Sequence, residues 1–478
     1  MEAFFKFKER GTDLQTELLA GLTTFLTMAY IIFVNPGILS LAGVPFAGAA
    51  TATALGAALM CLCMGMIANR PLALASGMGL NAVLTFSVIG FQQANVPWQV
   101  GMAVIFLDGV IMFILVMTGF RELVFDAIPM DLKRAIGVGI GLFITTIGLN
   151  EGGFITPNSA TLVSLGDFTQ KYVWVSMIGL FAILAFMALR VKGDILWGIL
   201  VATVAALLLG VTKLPSAVVA PPNFVTFFAP FQTVTSKAGV TSMAITQVLT
   251  PALLVAVFAI LLTDFFDTIG TTVAVGEQAG FVGKDGKVPG LRRILGVDGA
   301  AAAVGGLFGA SSITTYIESA AGVAEGGRTG VVPIVVAVLF TLSAFFAPVI
   351  QMIGGGYDVG NAAHFGQLAG AGFVVPTGAY FMYPVTSGAL IVVGFLMMRS
   401  VSEIPWHNFE EAFPAFLMIV GIPLTYNISY GIGFGFISYV LIKLLHRKAD
   451  KVHWLMYVIA AAFLVAFLQA PITAMLSK

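Results

Sequence analysis

Charge is what this sequence has least of. Lys, Arg, Asp and Glu make up 10% of its 478 residues, against about 25% in an ordinary soluble domain. The few charges balance, 23 basic against 23 acidic, so nothing argues for a nucleic-acid partner. Cysteine is nearly absent. Cys61 and Cys63 stand two residues apart in an apolar run and point to different sides of a helix. That argues against a disulfide and for small core-filling thiols. Histidine is also scarce: His364, His407, His446 and His453 all lie in or beside expected loops. A membrane proton relay here would therefore rest on carboxylates. No ATP-hydrolysing P-loop is present, because "GFVGKDGKV" has the wrong spacing and no Ser or Thr after Lys287. No cofactor and no metal site is expected. A cleavable leader is not evident either. The first apolar run follows Lys6, Lys8 and Arg10 without a small-residue cleavage pattern and reads as an uncleaved span.

What is abundant is apolar: 59% of the chain is hydrophobic, with 40 Phe and 54 Gly. This is the composition of a polytopic membrane protein, embedded in lipid and rich in the glycine that lets helices pack closely or break. A full span needs about 20 apolar residues. Candidate spans are 17–35, 50–68, 79–92, 100–119, 132–149, 172–190 and 195–212, then 245–275, 294–308, 313–326, 331–354, 380–399, 410–425 and 428–446, with a further run at 454–471. A polar, Pro-rich loop at 213–244 separates the two sets. The expected organisation is a first half at 1–212, an external loop, a second half at 245–446 and an extra C-terminal segment. Basic residues fall in every second loop: Arg70, then Arg121, Lys133 and Arg134, then Arg190 and Lys192, later Lys284, Lys287, Arg292, Arg293, Arg328, Arg399 and the 443–451 cluster. Loops 36–49, 93–99 and 355–379 have none. By the positive-inside rule the N-terminus is cytoplasmic.

The two halves carry matching stretches. "LTTFLT" (22–27) matches "LTDFFD" (262–267), so Thr24 falls on Asp264 and Thr27 on Asp267. "LALASGMGLNAVL" (72–84) and "LFGASSITTYIESA" (307–320) are both short and rich in Gly and Ser; Asn81 and Glu318 sit at nearly the same offset. Seven spans per half make this an inverted-topology repeat. Short, glycine-interrupted segments at corresponding positions point to a transporter binding site.

An ionised carboxylate near a bilayer centre costs at least about 2.5 kcal/mol on insertion scales. Asp108, Asp264, Asp267, Asp298 and Glu318 all fall within apolar spans. Asp264 and Asp267 lie at i and i+3, on one helix face with Thr263, Thr268 and Thr271. Asp267 and Glu318 fall at repeat-related broken segments, which favours function over packing. Asp264 is evenly placed between the two, while Asp108 and Asp298 suit packing or helix ends at least as well. The glycine-rich stretches read as short extended pieces feeding half-helices, whose free N–H groups would act as donors. Donors facing carboxylates suit a planar, largely uncharged ligand with ring N–H and C=O groups. An inorganic anion would want Lys or Arg, and none lies within 245–275 or 308–327. Phe25, Tyr30, Phe265, Phe266 and Tyr316 are available for stacking on a ring and equally for packing. Arg328, in "GGRTG", has three readings: binding helix-end carbonyls, gating, or marking the inside.

"GLTTFLTMAYIIFVNP" (21–36), "NRPLALASGMGLNA" (69–82), "DFFDTIGT" (264–271) and "TTYIESAAGVAEGGRTG" (314–330) closely resemble the AzgA-like purine base permeases, a branch of the nucleobase–cation symporter and nucleobase–ascorbate transporter superfamily. The resemblance runs from about residue 5 to about 446. It implies an all-α, 7+7 inverted-repeat fold with core and gate domains, in which helices three and ten are each a short strand plus a half-helix. It implies proton-coupled uptake of purine bases into a bacterial cell across the inner membrane, guanine and hypoxanthine before adenine, and commonly a homodimer. By resemblance, Asp267 and Glu318 are the substrate-binding carboxylates, Asn81 is the polar residue of helix three, and backbone groups near Leu80 and Ile317 meet the base. Thr27, the repeat partner of Asp267, joins them. The close Asp264/Asp267 pair would share a proton and link it to substrate binding, with Glu318 as a third participant; whether the ion is a proton or Na⁺ rests on the family alone. The resemblance departs at Ser76, where the family usually has Pro.

Two other classes compete. An intramembrane aspartyl hydrolase needs its aspartates on two facing helices, and here the close pair shares one helix. A passive channel would not need broken repeats at a midplane site.

Overall fold

The computed structural model describes residues 2–90, 95–118, 127–158, 160–236, 239, 241–281, 290–359 and 381–476. Side chains at 3, 262, 266, 267, 269, 270, 273, 274, 277, 466 and 469–476 lie outside that description. So do Arg121, Lys284 and Lys287, and most of the expected loop 355–379.

The first half opens with helices α1 (Leu14–Met28), α2 (Ile31–Leu41) and α3 (Phe46–Cys63). Asp13 caps α1 by accepting from Thr16 N at 2.9 Å, the usual satisfaction of a helix's orphan N–H groups. A π-type turn, Met64–Ala68, ends α3 at Asn69, whose φ of 49° turns the chain. Strand β1 (Leu74–Ser76) leads into the short helix α4 (Met78–Ala82), which continues as a π-type segment to Ile89. Then follow α5 (Trp98–Thr118), α6 (Met130–Glu151), α7 (Lys171–Ala188) and α8 (Asp194–Leu208). The second half repeats the order: α9 (Pro251–Gln278), α10 (Leu291–Phe308), β2 (Ile313–Thr315), α11 (Ser319–Ala324), α12 (Val331–Ser343), α13 (Ala347–Gly354), α14 (Pro384–Met397), α15 (Phe409–Thr425) and α16 (Ile428–Leu445). A last helix, α17 (Trp454–Leu476), closes the chain.

Two bodies result. In one, α1 packs on α11 and α12, α3 on α2 and α12, and α5 on α9 and α10. In the other, α6 packs on α14 and α15, α7 on α8 and α14, and α15 on α16. Glycine permits the closest approaches. A Cβ on Gly109 would sit 2.0 Å from Ala303 N, and one on Gly306 would sit 2.5 Å from Phe106 N. Small residues at such crossings let backbones touch, the main source of helix association in lipid.

Eight helices among the described residues are long and apolar enough to cross a membrane uninterrupted; the remaining elements of the fourteen expected spans are shorter or interrupted. The expected span 313–326 is a strand plus a six-residue helix. The one at 79–92 is the half-helix 78–89. Helix α10 carries Arg292, Arg293 and Asp298 within 18 residues. The span expected from 245 begins with a separate turn, Ala244–Gln247, before Pro251 opens α9. The extra segment is a helix running antiparallel to α16: as α17 advances from Phe463 to Phe467, its aromatic partners on α16 step back from Phe436 to Tyr430. Phe463 also meets Phe258 of α9, so α17 lies against both bodies.

Candidate functional site

The two halves meet strand to strand. β1 and β2 pair antiparallel, with Leu74 opposite Thr315 and Ser76 opposite Ile313. The ladder continues at each end: Tyr316 N donates to Ala73 O at 3.0 Å and Gly77 N to Ser312 O at 2.9 Å. Strands this short satisfy only part of their backbone, so side chains supply the rest. Ser319 Oγ accepts from Ala73 N at 3.0 Å, and Ser76 Oγ donates to Ala310 O at 2.8 Å. Cys61 Sγ accepts from Leu74 N at 3.1 Å, so this thiol does more than fill space. Tyr316 hydroxyl donates to Ser76 O. Ser76 thus ties β1 down from both its hydroxyl and its carbonyl.

Carboxylates fix β2 to the neighbouring helices. Asp298 Oδ2 accepts from Thr268 Oγ1 at 2.6 Å, and its Oδ1 accepts from Thr315 N at 3.1 Å and Thr314 Oγ1 at 3.4 Å. Of the packing and helix-end roles expected for Asp298, the geometry is that of packing: it sits in the middle of α10 and ties α9 and β2 together. Asp264 Oδ2 accepts from Ser312 Oγ at 3.0 Å. Ser311, next to it, holds φ 67° while fully buried, a conformation that costs a non-glycine residue energy and persists only where the surroundings enforce it. The backbone of Asp267 lies in α9 between these two anchors; its side chain is outside the described residues.

Glu318 stands at the N-cap of α11. Its Oε1 accepts from Tyr30 hydroxyl at 2.6 Å. Thr27 Oγ1 points at the Glu318 carbonyl at 3.5 Å, while bonding Thr24 O at 2.9 Å. Thr27, Tyr30 and Glu318 thus form one cluster. Asn81 sits one turn into α4, fully buried, and neither its Nδ2 nor its Oδ1 has a hydrogen-bond partner among the described residues. A buried amide so placed costs free energy unless something binds it. Leu80 is buried, whereas Ile317 is 50% exposed. The expected pair of donor ends is half right. In α4 the N–H groups of Met78, Gly79 and Leu80 precede the first turn bond, Asn81 N to Gly77 O at 2.9 Å. In α11 the first N–H groups are consumed by tight i→i−3 turns: Ser319 to Tyr316, Ala320 to Ile317 and Ala321 to Glu318. The N–H groups of Ile317 and Glu318 have no backbone acceptor among the described residues.

Glu17 and Glu151 are among the buried carboxylates that lay outside the sequence reading. Glu17, at the start of a span, passes for an interfacial residue, yet it is fully buried and accepts from Arg328 N at 2.7 Å, Thr329 N at 3.1 Å and Thr329 Oγ1 at 2.7 Å. Glu151, just past the expected span 132–149, is buried with Oε2 lacking a partner among the described residues. Arg328 follows the helix-end reading: its guanidinium donates to Val323 O at 2.7 Å and Gly327 O at 2.8 Å.

The two bodies touch at several points. Lys192, in the turn between α7 and α8, pairs with Glu325 at the end of α11. Toward the other face, Ser40 Oγ and Tyr383 hydroxyl lie 2.7 Å apart. On that same face a cavity of about 800 Å³ opens at the seam, lined among others by Val88, Val100, Ala256, Asn427 and Tyr430.

Interrupted helices crossing strand to strand inside a membrane body, with carboxylates anchored at the crossing, define a membrane permease. The sequence comparisons give its family: residues 15–381 match the permease family Xan_ur_permease, and the chain belongs to that family. It is 38% identical to the guanine/hypoxanthine permease PbuO of Bacillus subtilis over 464 residues, 96% of this chain and 99% of that one. It is 36% identical to the adenine permease AdeP of Escherichia coli, covering 93% and 90% of the two chains. Among solved structures, the transmembrane domain of a cyanobacterial bicarbonate transporter, BicA, superposes with a TM-score of 0.58 at 15% identity, over 87% of this chain and 97% of that one. That likeness is one of fold, the 7+7 inverted repeat. The chain is a multi-pass membrane transport protein and not an enzyme.

Proposed function

We propose that this permease is a nucleobase transporter that imports purine bases, guanine and hypoxanthine before adenine, by proton symport and alternating access. The observation that carries the reading is the pairing of an unpartnered buried amide at Asn81 with an anchored carboxylate at Glu318, on half-helices joined by β1 and β2. An amide offers one donor pair and one acceptor, and a carboxylate accepts. Guanine and hypoxanthine present ring N–H and C=O groups that match both, and adenine presents ring N–H, amino and ring-nitrogen groups. Backbone N–H groups at Leu80 and Ile317 add donors, and Asp267 supplies the second substrate carboxylate. Relatives named for guanine and hypoxanthine and for adenine stand at similar identity, 38% and 36%, so the uptake test includes all three bases.

Import needs an ion. Asp264, Asp267 and Glu318 are the candidate proton carriers, and the absence of Lys and Arg from 251–281 and 308–327 leaves carboxylates to do this work. The body holding the two strands would move against the body of α6–α8 and α14–α16, exposing the site to each side in turn. In this reading the N-terminus is cytoplasmic, the 800 Å³ cavity is the outer vestibule, and two copies assemble as a dimer.

The test is uptake of radiolabelled hypoxanthine, guanine and adenine into cells lacking their own purine permeases. Accumulation abolished by an uncoupler, and lost in Glu318→Ala and Asp267→Asn at matched membrane expression, is the expected result. Transport of none of the three bases overturns the reading. Accumulation that follows a sodium gradient instead of a proton gradient overturns the coupling alone.

A further inference from the structure

A second cavity lies toward the side of the molecule that carries the basic loops. Helices α5 and α10 are in backbone contact over most of their crossing. A Cβ on Gly299 would sit 3.0 Å from Phe113 N. One turn nearer the basic side they part: a Cβ on Gly296 would meet only Met117 Cε, at 3.4 Å. Between the diverging helices and α3 runs a groove of about 510 Å³. Its floor and walls are apolar: Met60, Cys63, Phe113, Met117, Val297 and Ala300. Its mouth holds Arg292 and Arg293, both exposed.

The arrangement is amphipathic along one axis. From Arg292 to Ala300 is eight helical residues, roughly 12 Å at 1.5 Å each. That is most of one leaflet's hydrocarbon depth, roughly 15 Å. The two cations stand where the headgroup layer of the basic-side leaflet would be. Arg292 is held in place, donating to Met117 O at 2.7 Å. The Arg293 guanidinium makes no hydrogen bond or ion pair among the described residues, and no acidic residue is among those lining the groove. An apolar groove with guanidinium groups at its polar end matches one kind of molecule. A free anion would use only the mouth, and an apolar solute only the groove. Guanidinium binds phosphate with paired N–H donors, and basic pockets between membrane helices on the cytoplasmic side take anionic headgroups.

We infer that the groove between α3, α5 and α10 is a binding site for an anionic phospholipid of the cytoplasmic leaflet. The phosphate sits on Arg292 and Arg293, and one acyl chain lies along Phe113, Val297 and Ala300. The occupant ties α5 to α10, the helix whose Asp298 anchors β2.

The experiment uses the full-length protein purified in a neutral detergent. Phosphatidylglycerol, phosphatidylcholine with the same chains, and inorganic phosphate are added separately. Retained lipid is read by native mass spectrometry and protection by thermal unfolding. The wild type is expected to retain phosphatidylglycerol in preference to phosphatidylcholine and to gain no protection from phosphate. Arg292→Gln with Arg293→Gln should reduce the preference by roughly fivefold per arginine, the scale of one basic residue at an anionic surface. Gly296→Leu fills the groove from a position with space for the side chain and leaves both arginines intact; it should lower retention of both lipids. Equal retention of the two lipids by the wild type overturns the inference, as does a preference that survives the double arginine substitution. Protection by inorganic phosphate equal to that by phosphatidylglycerol overturns it too, assigning the mouth to a soluble anion. A change of oligomeric state in Gly296→Leu without lost lipid would assign the face to a second copy of the chain and overturn it as well.

Discussion

The Tyr30 hydroxyl donates to Glu318 Oε1 at 2.6 Å across a sequence separation of 288 residues. One partner lies between the two helical pieces of the first span, and the other starts the second half-helix. The bond orients the carboxylate at the strand crossing and occupies one of its acceptor sites, leaving others for a ligand. Tyr30→Phe removes the donor and keeps the ring. A hydrogen bond to a charged group contributes about 1.5–3 kcal/mol, so kcat/KM for hypoxanthine uptake should fall roughly ten- to a hundredfold. Glu318→Gln should be worse, because it alters the acceptor proposed to meet the base. Uptake against substrate concentration, at matched expression, checks both. Tyr30→Phe with wild-type kinetics would remove Tyr30 from the site.

Asp298 does a different job. It accepts from Thr268, Thr314 and Thr315 N, all buried. Asp298→Ala strands Thr315 N and leaves the Thr268 and Thr314 hydroxyls only each other, 3.0 Å apart, at about 1–3 kcal/mol for each unsatisfied group in the low-dielectric interior. The expected outcome is a large drop in thermal stability of the purified protein. Glu318→Ala, by contrast, takes an acceptor from one donor, the Tyr30 hydroxyl, and should lose less stability than Asp298→Ala while losing transport. If Asp298→Ala unfolds at the wild-type temperature, the network does not hold the crossing.

Helix packing gives a prediction with its own control. Gly109→Ala would put a Cβ 2.0 Å from Ala303 N, so α5 and α10 must move apart. Overpacking of this kind costs about 1–3 kcal/mol and sometimes more. Gly137, in α6, has nothing within 4 Å of its would-be Cβ. Gly137→Ala should be neutral or gain up to about 1 kcal/mol through helix propensity. Detergent-solubilised yield and thermal unfolding of the two variants compare them directly.

How much of this was legible in the sequence follows from distance along the chain. The repeat was legible because its signal is local: glycine and serine interrupt apolar runs at 72–84 and 307–320, and those stretches carry the paired strands β1 and β2. Asn81 and Glu318 stood out because a polar residue in an apolar run is expensive wherever its partner lies. The partners themselves were not legible. Tyr30 reads as one more aromatic, and Asp298 as a packing or helix-end residue, until the fold brings a carboxylate against the first and a strand against the second. The first turn of α11 illustrates the same limit. Half-helix N–H groups look free in sequence, but Tyr316, Ile317 and Glu318 carbonyls curl back to take them. Apolar length located the spans but not their interruptions, because a strand plus a six-residue helix is as apolar as a crossing helix.

Glu17 extends the point to a prediction. It is fully buried at the start of α1 and accepts from Arg328 N, Thr329 N and Thr329 Oγ1. These donors lie in the turn before α12, so one carboxylate closes the loop that follows α11. Nearby, Asn69 Oδ1 accepts from Gly330 N at 2.9 Å, and Arg10 donates to Arg328 O at 3.0 Å. Glu17→Ala removes the shared acceptor and leaves two backbone N–H groups unpaired, which costs several kcal/mol. Thr329→Ala removes one donor and leaves the carboxylate its backbone partners, so the loss should be about 1 kcal/mol. Membrane expression should therefore collapse in Glu17→Ala and fall only modestly in Thr329→Ala. Glu17→Gln separates geometry from charge: its amide oxygen can keep some of these bonds but loses the charge that strengthens them, so it should fall between the two. Quantitative blotting of membrane fractions with thermal unfolding ranks all three. A Glu17→Ala protein as stable as Thr329→Ala would show that the backbone donors find other acceptors.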